Sequence, residues 1–102
     1  MPDELAAIAP ENYLKNKVVI VTGASQGIGV IAAQGFARAG AKVAIGARRA
    51  DAVGALAKKI NEAGGEALGL ALDVTKEESV ASFFEQTVAR FGKLDGLFNN
   101  AG

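Results

Sequence analysis

The stretch Thr22-Gly23-Ala24-Ser25-Gln26-Gly27-Ile28-Gly29 constrains the chain more than any other, because of what stands on either side of it. Before it, Lys17-Val18-Val19-Ile20-Val21-Thr22 is a continuous β-branched run, the pattern of a strand buried on both faces as in a parallel sheet. After it, from Gly29 to Ala39, the apolar residues Val30, Ile31, Ala33, Phe36 and Ala37 recur at helical spacing. Gly40 then stands where a helix C-terminal glycine belongs. Strand, glycine turn and helix in that order bring free N–H groups and the positive end of a helix dipole to one point, which suits a phosphate. Glycines there allow a tight turn, let the backbone approach a ligand, and let the helix pack closely on the strand. Spacing alone leaves an ordinary glycine turn open, since Gly supplies 13 of 102 residues. Its place between a buried strand and a helix is what points to a dinucleotide pyrophosphate.

The strand and helix pattern then repeats. Lys42-Val43-Ala44-Ile45-Gly46 reads as a second strand, Ala50 to Ala63 as an alanine-rich helix, and Gly64-Gly65 as its stop. Ala67 to Leu72 reads as a third strand. Thr75-Lys76-Glu77-Glu78 has the form of a capping box opening a helix that runs through Val80, Phe83, Phe84, Val88 and Phe91 to Gly92. Leu94 to Phe98 is a fourth strand. Strands alternating with helices predict an α/β fold, a Rossmann-type doubly wound parallel sheet of four βα-linked strands in the order 3-2-1-4. The sheet is incomplete by that standard. Residues 1–14 read as an N-terminal extension, and 15–102 as the N-terminal part of a dinucleotide-binding Rossmann domain.

Composition narrows the chemistry. Eleven Lys and Arg balance eleven Asp and Glu without a block of one sign, so neither a nucleic-acid nor a membrane-surface partner is expected. The chain has no cysteine and no histidine, which removes thiolate catalysis, the usual zinc sites and the Ser-His-Asp triad together. Acidic Asp3 and Glu4 precede only a short apolar patch, unlike a signal peptide, and no window approaches the roughly 18 apolar residues of a membrane span. A cytoplasmic location is the expectation.

The spacing Thr-Gly-x-x-x-Gly-x-Gly resembles that of the short-chain dehydrogenase/reductase family. Gly46-Ala47-Arg48-Arg49, Leu72-Asp73-Val74 and Asn99-Asn100-Ala101-Gly102 match the family after the second, third and fourth strands, so the resemblance covers Lys15 to Gly102. It implies that the turn Gly23, Ala24, Ser25, Gln26, Gly27, Ile28 and Gly29 binds the cofactor. Within the turn Gly23, Ser25, Gln26 and Ile28 line the pyrophosphate and adjacent ribose. It implies too that Asp73 and Val74 flank the adenine, and that Asn100 and Ala101, with Gly102 behind them, lie beneath the nicotinamide ribose. Read without the resemblance, Asp73 is equally a turn or capping residue, and Asn99 and Asn100 equally loop residues closing a strand. In the family, asparagines at this point also lock the central strands.

The end of the second strand carries the choice of cofactor. A site for NAD usually places a carboxylate there to accept from the ribose 2′-hydroxyl, whereas one for NADP offers a cation. Ala47 occupies the position of the family's acidic residue and Arg48 follows, which favours NADP(H) over NAD(H), Arg49 being the weaker second candidate. Solvated charges at a strand end remain the alternative for both arginines. The family's other common basic position, inside the glycine turn, holds Gln26.

Reduction of a carbonyl needs an acid near the substrate oxygen, and the family uses a Ser with a Tyr-x-x-x-Lys pair located after the Asn-Asn-Ala-Gly segment. No catalytic residue is therefore expected in these 102 residues. Tyr13 and Lys17 imitate the spacing but precede the first strand, where they would not stack as on a helix. The expected whole is an NADP-dependent oxidoreductase moving hydride between a nicotinamide cofactor and a small-molecule alcohol or carbonyl. By resemblance it forms homo-oligomers. The 102-residue chain itself is expected to be inactive. A non-catalytic dinucleotide-binding module is the alternative; a methyltransferase with an adenosyl cofactor fits the glycine spacing and Arg48 less well. The fourth strand is expected to present an unprotected edge that weakens folding or promotes self-association.

Overall fold

The computed structural model describes residues 13–100, and Ala101 and Gly102 lie outside the described residues, as do residues 1–12. The elements are β1 (Val18–Thr22), α1 (Ile28–Arg38), β2 (Lys42–Ala47), α2 (Ala50–Glu62), β3 (Glu66–Ala71), α3 (Glu77–Phe91) and β4 (Gly96–Asn99). All strands pair in parallel, in the order β3-β2-β1-β4. This is the topology that the alternation of patterns implies.

The apolar run of β1 is buried along its whole length because it has strands on both sides and helices on both faces. Alternate residues serve opposite faces. Val19 and Val21, with Val43 and Ile45 of β2, pack against Ala33 of α1 and Val53, Leu56, Ala57 and Ile60 of α2. Ile20 and Ala44 turn to the other face, where Leu72, the residue after β3, and Phe83 of α3 cover them. Phe83 can lie so close because β2 carries Gly46 opposite it. A Cβ at Gly46 would fall 2.7 Å from the Phe83 ring and 2.9 Å from Leu72 Cδ2. At the edges burial fades, and Leu97 of β4 is 54% exposed. Phe36 of α1 and Phe98 of β4 meet edge to face, with centroids 5.9 Å apart.

Several boundaries depart from the sequence reading by one or two residues. β4 begins at Gly96 rather than Leu94, because Asp95 is already committed to the start of β1: its carboxylate accepts from Val18 N–H at 2.8 Å and its own N–H donates to Val18 O at 2.9 Å. β3 is shifted one residue earlier, and α1 runs from Ile28 to Arg38. The capping box at Thr75 does not form. The N-cap of α3 is Lys76 without a side-chain cap, and the Thr75 hydroxyl instead donates to Asp73 Oδ1 at 2.6 Å. Because α3 starts at Glu77, Thr75 falls too early to reach the helix N–H groups and closes a turn with Asp73 instead. The helix stops are as expected, with Gly40, Gly64 and Gly92 all at positive φ.

Candidate functional site

Because every strand is parallel, the chain leaves β1, β2 and β3 at the same end of the sheet, and the loops there converge. A cavity of about 360 Å³ opens between them, lined by Gly23, Ser25, Gly46, Ala47, Arg48, Leu72 and Val74. In open parallel sheets this end, at the point where strand order reverses, is where ligands bind. β1 is that point here, since the chain runs outward through β2 and β3 and then crosses to β4 on the other side.

The glycine turn is held by backbone. Gly23 N–H donates to Gly46 O at 2.8 Å, and Ala24 N–H approaches the same oxygen at 3.4 Å. Gly27 has a φ of 64°, which residues with a Cβ rarely adopt, and it is the N-cap of α1. A Cβ at Gly29 would overlap the Gly23 carbonyl oxygen, so the first turn of α1 packs directly on the end of β1. No side chain caps α1 and its first turn holds no acidic residue, leaving the positive end of the helix open to an anion. This cradle and the uncapped helix end fit a pyrophosphate. Ala24 is 1% exposed and its side chain belongs to the core, so only its backbone faces the turn. Gln26 is exposed, and Ile28 is 65% exposed at the mouth of the turn.

At the end of β1 the Thr22 hydroxyl donates to Asn99 Oδ1 at 2.8 Å and accepts from Asn100 N–H at 3.1 Å. Asn100 Nδ2 reaches Gly23 O at 3.4 Å. These bonds tie the tip of β4 to the start of the glycine turn. Asn99 and Asn100 thus join the edge strand β4 to β1.

Arg48 and Arg49 diverge. Arg48 lines the cavity and its guanidinium lies 3.8 Å from Asp73 Oδ1; Arg49 turns away to Asp51 at 3.1 Å, in the first turn of α2. Asp73 is drawn into a turn by Thr75, whose hydroxyl and N–H both donate to Oδ1, at 2.6 and 3.0 Å. Those bonds, and then the charges of Arg48 and Lys76, hold the Asp73 carboxyl below its ordinary range. Asp51 is lowered too, by Arg49. Val74 is 51% exposed and lines the cavity beside Asp73. The structure therefore brings Gly23, Ser25, Arg48 and Val74 to one cavity and leaves Arg49 outside it. Ala101 and Gly102 lie outside the described residues.

Sequence reasoning gave no site role to Thr22, Gly46 or Leu72. The signal for Gly46 was its place in the quoted Gly-Ala-Arg-Arg segment, and for Thr22 its place at the head of the glycine spacing.

A larger cavity, about 750 Å³, lies at the opposite end of the strands, where Lys15, Arg38, Lys42 and Lys59 face Glu66. Arg38 and Lys59 stand in the last turns of α1 and α2, where cations offset the negative helix ends. It is remote from the glycine turn. Tyr13, 63% exposed, and Lys17, just before β1, also belong to this end, so β1 separates them from the cavity by about 16 Å of strand. Among the described residues no group of His, Cys, Asp and Glu is placed to hold a metal, and no helix is long and apolar enough to cross a membrane.

The sequence model of the family described as short chain dehydrogenase matches residues 17–102. An uncharacterized oxidoreductase of Listeria innocua is 43% identical over 89 residues, covering 87% of this chain and 36% of that protein. Among solved structures, a hydroxysteroid dehydrogenase from Escherichia coli superposes with a TM-score of 0.87 at 36% identity, over 92% of this chain and 39% of the other. A metagenomic short-chain oxidoreductase, solved in complex with NADP, superposes with a TM-score of 0.81 at 39% identity, over 87% of this chain and 40% of the other. The chain spans about a third of the length of the curated relatives it matches.

Proposed function

The chain belongs to the short-chain dehydrogenase family, and we propose that it forms the adenine-side half of a nicotinamide dinucleotide site that prefers NADP(H) over NAD(H). The observation that carries this reading is the cavity at the strand ends, where Gly23 and Ser25 of the glycine turn line one space with Arg48 and β2 ends in Ala47 instead of a carboxylate, the turn leading into the uncapped N-terminus of α1. The glycine turn holds the pyrophosphate on backbone N–H groups, and Arg48 offers a planar pair of donors to a 2′-phosphate. Asp73 and Val74 flank the adenine; Asn100, with Ala101 and Gly102, supports the nicotinamide ribose. That one of the similar solved structures holds NADP supports the choice of cofactor.

In this reading the bound dinucleotide supplies the hydride, and an alcohol or carbonyl compound gives or takes it in an oxidoreductase of which this chain is the cofactor-binding part. The chain's own residues bind and orient. Among the described residues none stands as an acid at the nicotinamide end, the single tyrosine, Tyr13, being at the opposite end of β1. The chain alone is therefore inactive.

Calorimetric titration with NADPH and then NADH, in low-phosphate buffer, tests the binding half of the proposal. The expected result is at least tenfold tighter binding of NADPH, about 1.4 kcal/mol, reduced to near parity by Arg48→Ala. Equal or tighter binding of NADH, or an unchanged preference in the variant, refutes the cofactor assignment. Binding of neither refutes the site.

A further inference from the structure

We propose that Asp73 is the resident counter-ion of Arg48 and competes with a ligand's 2′-phosphate for that guanidinium, so that this carboxylate limits how strongly the site favours a 2′-phosphorylated nucleotide. The inference rests on the reading of Arg48 as the phosphate-binding cation and adds a second residue that sets its strength.

The parallel register pairs Ala47 with Ala71, so the loops after β2 and β3 leave the sheet side by side. Arg48 is the first residue beyond β2 and Asp73 the second beyond β3, and their charged groups meet at 3.8 Å. The two partners are held very differently. Asp73 is anchored on three bonds: its Oδ1 accepts from the Thr75 N–H and hydroxyl, and its own N–H donates to Ser79 Oγ at 3.0 Å. The Arg48 side chain is 72% exposed against 30% for Asp73, with which it forms an ion pair. The carboxylate is thus the more bonded of the two and the guanidinium the more exposed. The turn with Thr75 also keeps Asp73 ionised, so the negative charge is present at neutral pH.

Leu72 and Val74, the chain neighbours of Asp73, line the cavity together with Arg48, and Asp73 itself meets the Arg48 guanidinium at 3.8 Å. A 2′-phosphate that engages Arg48 must therefore draw it from Asp73 or share it with that carboxylate. Phosphate offers two parallel acceptors and more charge, so it wins, but the pair it displaces is subtracted from its gain. A 2′-hydroxyl needs no such exchange. An exposed pair of this kind changes a binding constant by a factor of a few.

Adenosine 2′,5′-bisphosphate and adenosine 5′-monophosphate, titrated calorimetrically into the chain, test the inference because they need the adenine side alone. In Asp73→Asn, where the amide oxygen can still close the turn with Thr75, the preference for the bisphosphate is expected to rise about threefold. In Arg48→Ala the preference is expected to vanish, and Asp73→Asn added to it should change nothing. An unchanged or lower preference in Asp73→Asn overturns the inference, and so does an equal rise in the Arg48→Ala background, which would mean direct repulsion. If Arg48→Ala removes the preference while Asp73→Asn does not raise it, only the counter-ion role falls. If Arg48→Ala leaves the preference intact, or if neither nucleotide binds, the underlying site reading falls with it. A ligand-free measurement covers the pair itself: by carboxyl ¹³C NMR, Arg48→Ala should raise the Asp73 pKa, and an unmoved titration overturns the inference.

Discussion

Replacing Gly29 and Gly35 by alanine is the same chemical change in the same helix, yet the two should move stability in opposite directions. In an unobstructed helix, Gly→Ala gains about 0.5–1 kcal/mol by lowering the entropy of the unfolded chain. Nothing stands within 4 Å of a Cβ at Gly35, so that gain should appear there in full. At Gly29 the added Cβ would overlap the Gly23 carbonyl oxygen and lie 2.9 Å from Gly23 C and Ala24 Cα, where ordinary contact begins at 3.4 Å. The obstacle is backbone, fixed by the Gly23 N–H to Gly46 O bond, and cannot rotate away. The strain therefore takes the upper end of the overpacking range, about 3 kcal/mol, and leaves a net loss of about 2 kcal/mol after the helix gain. For a chain of this size 1 kcal/mol shifts Tm by about 4–8 °C. Thermal unfolding followed by circular dichroism should show Gly29→Ala melting about 8–16 °C lower and Gly35→Ala a few degrees higher. If Gly29→Ala melts at or above Gly35→Ala, the close packing of the glycine turn on α1 is wrong.

Phe83, 1% exposed over Gly46, should cost about 3–5 kcal/mol when cut to alanine, read as a drop in urea midpoint at constant m-value. Thr22→Val keeps the strand shape but removes the partner of Asn99 Oδ1 and Asn100 N–H; a loss of about 1–3 kcal/mol and faster hydrogen exchange at the Asn100 amide are expected. Asp95 is held below its ordinary value of 3.8, first by the Val18 N–H and then by Lys93. Its contribution to stability is thus complete above the unfolded-state value and lost as pH falls through the lower folded one, so a Tm profile from pH 6 to pH 2 should fall less steeply in Asp95→Asn than in the parent.

Much of this molecule could be read before any coordinates. The unbroken apolar run of β1 demands neighbours on both sides and cover on both faces, and four such runs separated by helix-length patterns leave little besides a parallel sheet. The glycine turn was legible for a similar reason, since its residues are contiguous and their conformational demands are local. Boundaries were less so: β4 starts late because Asp95 bonds to Val18, which lies 77 residues away. Thr75 failed as a cap because it was drawn to Asp73, a competitor that a four-residue motif does not include.

What the chain itself determined, then, is the order of its elements, the buried character of its central strands and the place of the glycine turn, because periodicity, β-branching and glycine act over a few residues. Only the tertiary structure decided which of two adjacent arginines enters the cavity, that Thr22 joins β1 to the asparagines after β4, and that Asp73 stands against Arg48. Each of these depends on strand register, which sets residues far apart in sequence at the same level of the sheet, and no local pattern carries that information.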